Sequence, residues 1–346
     1  MPFAVMVVVA VVDLVAGEGI GFLPLFSLGP AFASLVGGPR RTAAIGLMAL
    51  LLCLMIGAYD GLLQTPRGQT ALLSVAGVSL AALGATVMRR RREAELTAVR
   101  SVAEAAQRVL LRPVPRFAGN LRIAVSYTSA TAEALIGGDL YEVVVSHGAV
   151  RVIVGDVQGK GLEAIETAAV VLGAFREAGH DEVDLLSVSS RVERALNRRL
   201  SGEKFVTGVL VEVEGDRAVE LLNYGHPAPL VRRADGAVIF ATPPTTAPPL
   251  GLADLGPAHP VPYRLPLVPG DQMLLYTDGV TEARDSDGRF YPLGERSHFL
   301  EAPDPDEALQ ALRKDLEHHI GGPVRDDAAI MLIRYRDDGG SLPDVV

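Results

Sequence analysis

The sequence predicts an α-helical membrane region followed by an α+β domain built mainly of antiparallel sheets. Three observations lead there. Residues 1–88 are almost free of charge and contain two long uncharged runs. From Asn120 onward, short β-branched segments occur in runs, with Gly or Asp turns between them. Helical segments are inserted between groups of strands and do not alternate strictly with single strands, which argues against a parallel βαβ sheet. At 346 residues the chain has room for about two domains.

Thr42–Tyr59 is an uncharged run of 18 residues, and Gln69–Met88 one of 20. Each can cross a bilayer core of about 30 Å at 1.5 Å per residue. Two weaker runs precede them: Pro2–Gly17, interrupted by Asp13, and Ile20–Gly38, which contains Pro24 and Pro30. They predict two shorter helices around Gly17-Glu18-Gly19, giving four spans, with a re-entrant segment as the alternative for the second. Arg40-Arg41 and Arg89–Arg92 flank the spans, and the positive-inside rule places both clusters in the cytoplasm. The plasma membrane is then the expected location, with the second half of the chain cytoplasmic. A cleaved signal peptide fits badly, because there is no basic segment before the first apolar run.

Composition narrows the function. With 49% apolar residues the chain is not globally disordered, and the single Cys53 excludes a disulfide framework. Residues 1–92 carry a net +4 and residues 93–346 a net −13. An acidic second half is a poor partner for a phosphate backbone, so no nucleic-acid partner is expected.

Arg89–Leu111 lacks Gly and Pro, and its apolar positions Leu96, Val99, Ala103, Ala106 and Leu110 recur at helical spacing. This predicts a linker helix of about three heptads. A homodimer through that helix is one expectation, and a helix packed on its own domain is the other. Beyond it the predicted strands are Leu121–Tyr127, Leu140–Ser146, Val150–Val154, Val206–Val213, Ala218–Asn223, Leu230–Arg232, Val238–Ala241, Met273–Thr277 and Ala328–Arg334. Predicted helices cover Leu162–Ala178, Val183–Leu200 and Asp306–Ile320.

Acidic residues recur at the strand ends. Asp139 opens one strand, Asp156 follows Val150–Gly155, Asp278 follows Met273–Thr277, and Asp326-Asp327 precede the last strand. Carboxylates gathered at one edge of a core repel one another unless a cation neutralises them. Oxygen ligands without a His or Cys cluster suit Mg²⁺ or Mn²⁺. A pair of such ions about 4 Å apart clamps a phosphate and lowers the pKa of a shared water toward 7.

Five segments in order carry a resemblance: Gly137-Gly138-Asp139-Leu140-Tyr141, Gly155-Asp156-Val157-Gln158-Gly159-Lys160-Gly161, Tyr224-Gly225-His226-Pro227-Ala228-Pro229-Leu230, Tyr276-Thr277-Asp278-Gly279-Val280-Thr281-Glu282-Ala283 and Asp326-Asp327-Ala328-Ala329. Together they resemble the bacterial SpoIIE/RsbU-like branch of the PPM (PP2C-type) protein serine/threonine phosphatases. The resemblance implies an αββα sandwich with two Mn²⁺ or Mg²⁺ ions at one end and hydrolysis of phosphoserine or phosphothreonine on a protein, usually an anti-sigma-factor antagonist. It implies Asp156 as the carboxylate bridging both ions, a backbone carbonyl ligand from Val157, and Asp139, Asp278 and Asp326 as further ligands. Asp156 and Asp278 are thereby the expected catalytic carboxylates. The chain divides on this reading into a transmembrane region (1–88), a linker helix (89–116), a phosphatase domain (117–336) and a tail (337–346).

The sequence departs from the eukaryotic relatives where they carry a His as general acid: Gln158 stands there and cannot donate a proton near pH 7. His226 reads as structural, Asp327 as a structural acid, and Gly137, Gly138 and Gly279 as turn glycines. The alternative from another class is a membrane receptor or scaffold whose phosphatase-like domain binds partners with little or no turnover.

Overall fold

A computed structural model describes residues 2–16, 23–128, 138–146, 148–199, 204–214, 218–245, 247–253, 260–324 and 327–336. The chain forms two compact units, Met1–Val99 and Arg100–Val346.

In the first unit, α1 (Pro2–Ala16), a 3₁₀ segment (Leu23–Ser27) and α2 (Leu28–Val36) lead into α3 (Pro39–Tyr59) and the start of α4 (Pro66–Leu110). The turn expected at Gly17–Gly19 lies outside the described residues. Among the described residues, two helices, α3 and α4, are long and apolar enough to cross a membrane. At 15 residues α1 reaches only about 22 Å. The expected fourth span and linker helix form one continuous helix, because no proline follows Pro66 before Pro113 and the charge change at Arg89 alters the solvent preference, not the backbone. Met6, Phe26, Ile45, Ala49 and Val75 form the core. Helix approach there depends on Gly29, whose Cβ would stand 2.5 Å from Met6 Sδ. Arg89 closes the end of α2, donating to the carbonyls of Ser34 (2.9 Å), Leu35 (2.7 Å) and Gly37 (2.9 Å).

The second unit contains β1 (Phe117–Ala118), β2 (Leu121–Thr128), β3 (Asp139–Ser146), β4 (Ala149–Val157), α5 (Leu162–Asp181), α6 (Leu185–Arg199), β5 (Val206–Val213), β6 (Ala218–Tyr224), β7 (Leu230–Arg232), β8 (Val238–Phe240), β9 (Tyr263–Pro266), β10 (Gln272–Tyr276), α7 (Asp278–Thr281), α8 (Pro305–Ile320) and β11 (Ala328–Tyr335). One sheet has the order β1-β2-β11-β10-β7-β8 and the other β3-β4-β5-β6-β9. Every pairing between these strands is antiparallel.

Side-chain alternation builds the layers. On β4, Val150, Val152 and Val154 face the other sheet, while Ile153 and Val157 face helices. Val143 and Tyr141 on β3, Met273 and Leu275 on β10, and Ala329, Met331 and Ile333 on β11 complete the core between the sheets. Phe175 and Leu172 of α5 and Val188 of α6 cover one outer face, and Leu309, Leu312 and Leu316 of α8 the other. The result is the expected αββα sandwich. Capping fixes α8: the Asp304 side chain accepts from Asp306 N at 2.9 Å, and Gly321 ends the helix at φ +74°. Two strands lie outside the expected set: β1 has only two residues, and β9 is hidden by the breakers Pro260, Pro262 and Pro266 around it.

Candidate metal site

The period of two that builds the core also builds the site. Continuing the inward series Val150, Val152, Val154 by one step gives Asp156. Val143 and Tyr141 lead to Asp139 on β3, Met273 and Leu275 to Thr277 after β10, and Ala329 to Asp327 before β11. Apolar positions thus give way to polar ones at one end of the layer between the sheets.

Asp139 pairs directly with Asp156 in the β3–β4 ladder, and Asp156 pairs in turn with Thr207 on β5. The Asp139 carboxylate is buried, with 3% of its surface exposed. Its Oδ2 accepts from Thr277 Oγ1 at 2.7 Å and from the backbone N–H of Ala329 at 3.0 Å. Burial first, then the charge of Asp156, raises its affinity for a proton well above the usual carboxylate range; Asp327 and Asp278 add to this, and the Thr277 hydrogen bond opposes it.

Two glycines allow the close approaches. A Cβ on Gly138 would lie 2.5 Å from the carbonyl oxygen of Val157, and the Val157 N–H donates to Gly138 O at 3.2 Å. A Cβ on Gly279 would lie 2.0 Å from the carbonyl oxygen of Asp327. Neither has positive φ among the described glycines, so their role is clearance, and the expectation that they are turn glycines is corrected. Asp278 is likewise not a strand terminus: β10 ends at Tyr276, and Asp278 opens α7, with its carbonyl accepting from Glu282 N at 2.7 Å. Asp326 and Gly137 lie outside the described residues.

His226 joins the two sheets. Its Nε2 donates to the carbonyl of Tyr276 at 3.0 Å, which leaves Nδ1 to accept from the Thr207 hydroxyl at 3.1 Å. Asn223 clamps its backbone with hydrogen bonds of 2.9 Å in each direction. Burial pushes its pKa down to about 4, so the ring is a neutral strut near neutral pH. Gln158 is exposed beside Val157. Thr277 and Tyr127 are the site residues that motif reasoning passed over; their place on the inward-facing series was the available signal.

Among the described residues, no three His, Cys, Asp or Glu side chains are placed to hold a metal ion by themselves. The groups whose charge reaches Asp139 are the carboxylates of Asp156, Asp327 and Asp278, and the Val157 carbonyl lies against Gly138. Mutually repelling carboxylates on a buried edge fit a hard divalent cation.

Comparison with solved structures places the fold in the PP2C phosphatase class. A structure of the RsbU and RsbW domains of a Mycobacterium tuberculosis protein is similar at 22% identity and TM-score 0.53, covering 64% of this chain and 62% of that one. The PP2C phosphatase domain of Bacillus subtilis SpoIIE, with a fragment of its regulatory domain, matches at 16% identity and TM-score 0.53, over 64% and 65%. The SiaA PP2C domain of Pseudomonas aeruginosa matches at 19% identity and TM-score 0.59, over 71% of this chain and 99% of that one. The chain therefore spans less than two thirds of the first two. The family described as stage II sporulation protein E (SpoIIE) matches residues 146–336, and the chain belongs to it.

Proposed function

We propose that the chain is a membrane-anchored, metal-dependent protein phosphatase that hydrolyses phosphoserine or phosphothreonine on a cytoplasmic regulatory protein of the anti-sigma-factor antagonist kind. The observation that carries this reading is the buried pairing of Asp139 with Asp156 inside a SpoIIE-family sandwich, with Asp278 and Asp327 near enough to act on Asp139. A relative that contains an RsbU and an RsbW domain supports a substrate from such a regulatory system.

On this reading Asp139, Asp156, Asp278 and Asp326, with the Val157 carbonyl, would hold two Mn²⁺ or Mg²⁺ ions. When bound, such ions neutralise phosphate charge and lower the pKa of water toward 7. Thr277 and the Ala329 N–H hold Asp139 Oδ2 in one orientation. A cleft of about 570 Å³ opens beside Asp278, lined by Glu282, Arg284, Asp285 and Ile320, and it admits a segment of the phosphoprotein. Water attacks phosphorus, the P–O bond to the seryl or threonyl oxygen breaks, and inorganic phosphate leaves. The proton for the departing alkoxide comes from solvent, since Gln158 cannot supply it and His226 is a buried strut.

The division into a transmembrane region (1–88), a linker helix (89–116) and a phosphatase domain (117–336) belongs to the same proposal. Apolar side chains exposed on the first unit support membrane contact: Val7 61%, Leu35 67%, Leu47 61%, Met55 68%, Leu73 72% and Leu80 70%. Leu96, Val99 and Val102 of α4 are also exposed and leave a face for a second copy, whereas Ala103 and Gln107 are buried.

The test is turnover of p-nitrophenyl phosphate and a phosphoserine peptide by the full chain in detergent. Activity that requires Mn²⁺, disappears with chelator and is lost in Asp156→Asn and Asp278→Asn supports the enzyme. A folded chain that binds Mn²⁺ without turnover favours the scaffold reading.

A further inference from the structure

Asp327 is held by a chain of two hydrogen bonds that the family motifs do not contain. Gln107, buried in the last turns of α4, donates from Nε2 to Tyr127 Oη at 2.6 Å. Tyr127 donates to Asp327 Oδ2 at 3.0 Å. The direction follows from the groups themselves: the amide nitrogen only donates, an ionised carboxylate only accepts, and the phenol between them does both. Tyr127 pairs with Ala329 in the β2–β11 ladder, so its side chain belongs to the same inward series as Asp327. Its ring lies 6.3 Å from that of Tyr141, two residues along β3 from Asp139. Asp327 is itself buried, and its charge reaches Asp139.

We propose that Tyr127 is a positioning residue of the ion site. It fixes the Asp327 carboxylate beside Asp139, Gln107 fixes Tyr127, and Asp327 adds oriented negative charge to the site that binds the ions. Groups that orient the carboxylates around a metal typically alter its affinity by about 10- to 100-fold when removed. Tyr127→Phe keeps the ring in the core and deletes the hydroxyl, and with it both the hydrogen bond to Asp327 and the one from Gln107. The inference rests on the ion site proposed above.

The experiment is a Mn²⁺ titration of the full chain in detergent, with free aqueous Mn²⁺ read by electron paramagnetic resonance, alongside thermal melting in chelator. Tyr127→Phe is expected to weaken Mn²⁺ binding about 10-fold, with a metal-free melting midpoint lowered only by the few degrees that the loss of Gln107's acceptor costs, and still a cooperative transition. Asp327→Asn weakens it at least as much, and the double variant binds no more weakly than Asp327→Asn alone, because Tyr127 acts only through that carboxylate. Wild-type affinity in Tyr127→Phe overturns the proposal, as does a double variant whose loss is the product of the two single losses. Should Tyr127→Phe fail to fold, Gln107→Leu tests the same chain from its far end: about 3-fold weaker binding supports the proposal, and unchanged binding overturns it. A wild-type chain that takes up no Mn²⁺ overturns the ion site itself, which the reference titration shows before any variant is compared.

Discussion

Asp139 and Asp156 stand opposite each other in the terminal pair of the β3–β4 ladder. Like charges in such a pair destabilise a sheet by about 0.2–1 kcal/mol even where solvent is near, and burial of Asp139 enlarges the effect. The arrangement is a cost to the metal-free fold that a cation removes. Asp156→Asn is therefore expected to melt higher than wild type in chelator and to gain less from Mn²⁺, while its phosphatase activity falls at least about 100-fold. Parallel melting curves and activity assays check both halves. A variant that melts lower than wild type in chelator shows that the pair is not in conflict.

The glycines separate clearance from conformational freedom. Gly279→Ala places a Cβ 2.0 Å from the Asp327 carbonyl oxygen, a backbone atom with no flexible end to move aside. A loss of about 3 kcal/mol or more is expected, with loss of Mn²⁺ affinity because Asp278 and Asp327 are forced apart. Gly138→Ala meets Val157 O at 2.5 Å and should behave alike. Gly173 lies exposed within α5 with nothing within 4 Å of its added Cβ, so Gly173→Ala is expected to stabilise by about 0.5–1 kcal/mol. Denaturant titration of the three variants gives the comparison.

Much of this site was legible as pattern. The inward series on β4 could be extended from Val154 to Asp156, and the same step leads from Met273 and Leu275 to Thr277. The acidic motifs therefore pointed to one edge before any coordinates. What the pattern could not give was the partner across the sheet. That Asp139 opposes Asp156, or that Tyr127 reaches Asp327 from 200 positions away, depends on register and strand order. Gly279 looked like a turn residue because Asp-Gly is a common turn pair; its neighbour, the Asp327 carbonyl, comes from a distant strand. The continuity of α4 was hidden by the change of composition at Arg89, which marks a change of surroundings and not a helix end.

His226 makes the fold acid-sensitive. Its folded pKa lies at about 4, below the unfolded value of about 6.5. The unfolded chain therefore binds the extra proton first. The stabilisation is complete above about pH 6.5 and is lost as pH falls toward 4, at most about 3 kcal/mol from this one ring. His226→Asn is expected to be less stable than wild type at pH 7.5 and to lose less on acidification between pH 6.5 and 4. Stability measured against pH for the two proteins tests it; identical slopes would falsify the assignment. The activity profile should keep its shape in any His226 variant that folds, since the ring makes its hydrogen bonds to Tyr276 and Thr207 and takes no proton from substrate.

Arg151 and Glu212 form the most buried ion pair described, at 2.5 Å with both side chains 5% exposed, on the helix-facing side of β4 and β5. Arg151 also donates to the carbonyls of Gly179 (3.0 Å), Glu182 (2.6 Å) and Val183 (2.9 Å), closing the end of α5. Glu212→Gln leaves a buried guanidinium with only carbonyl partners, and a loss of about 3–5 kcal/mol is expected. The Glu212→Leu/Arg151→Met pair should recover part of that loss by removing both charges, though the three carbonyls at the end of α5 remain without their donor. Equal stability of the single and double variants would show that losing the three carbonyl contacts of Arg151 costs as much as removing its unpaired charge returns.

Thr277 couples the two sheets at the site itself. Its hydroxyl donates to Asp139 Oδ2 at 2.7 Å and accepts from Ala329 N at 3.0 Å, so one side chain from the end of β10 binds a carboxylate of the other sheet and an amide of β11. Thr277→Val keeps the shape and deletes both hydrogen bonds. Ala329 N still reaches Asp139 Oδ2, so the carboxylate retains one donor and the fold should survive. Loss of the hydroxyl frees Asp139 to rotate away from Asp156, and Mn²⁺ affinity is expected to fall about 10-fold. Thr277→Ser restores the hydroxyl without the methyl and should recover most of the affinity. A valine variant that binds Mn²⁺ like wild type would place the orientation of Asp139 wholly with the Ala329 N–H; a serine variant as weak as valine would assign the effect to the lost methyl packing.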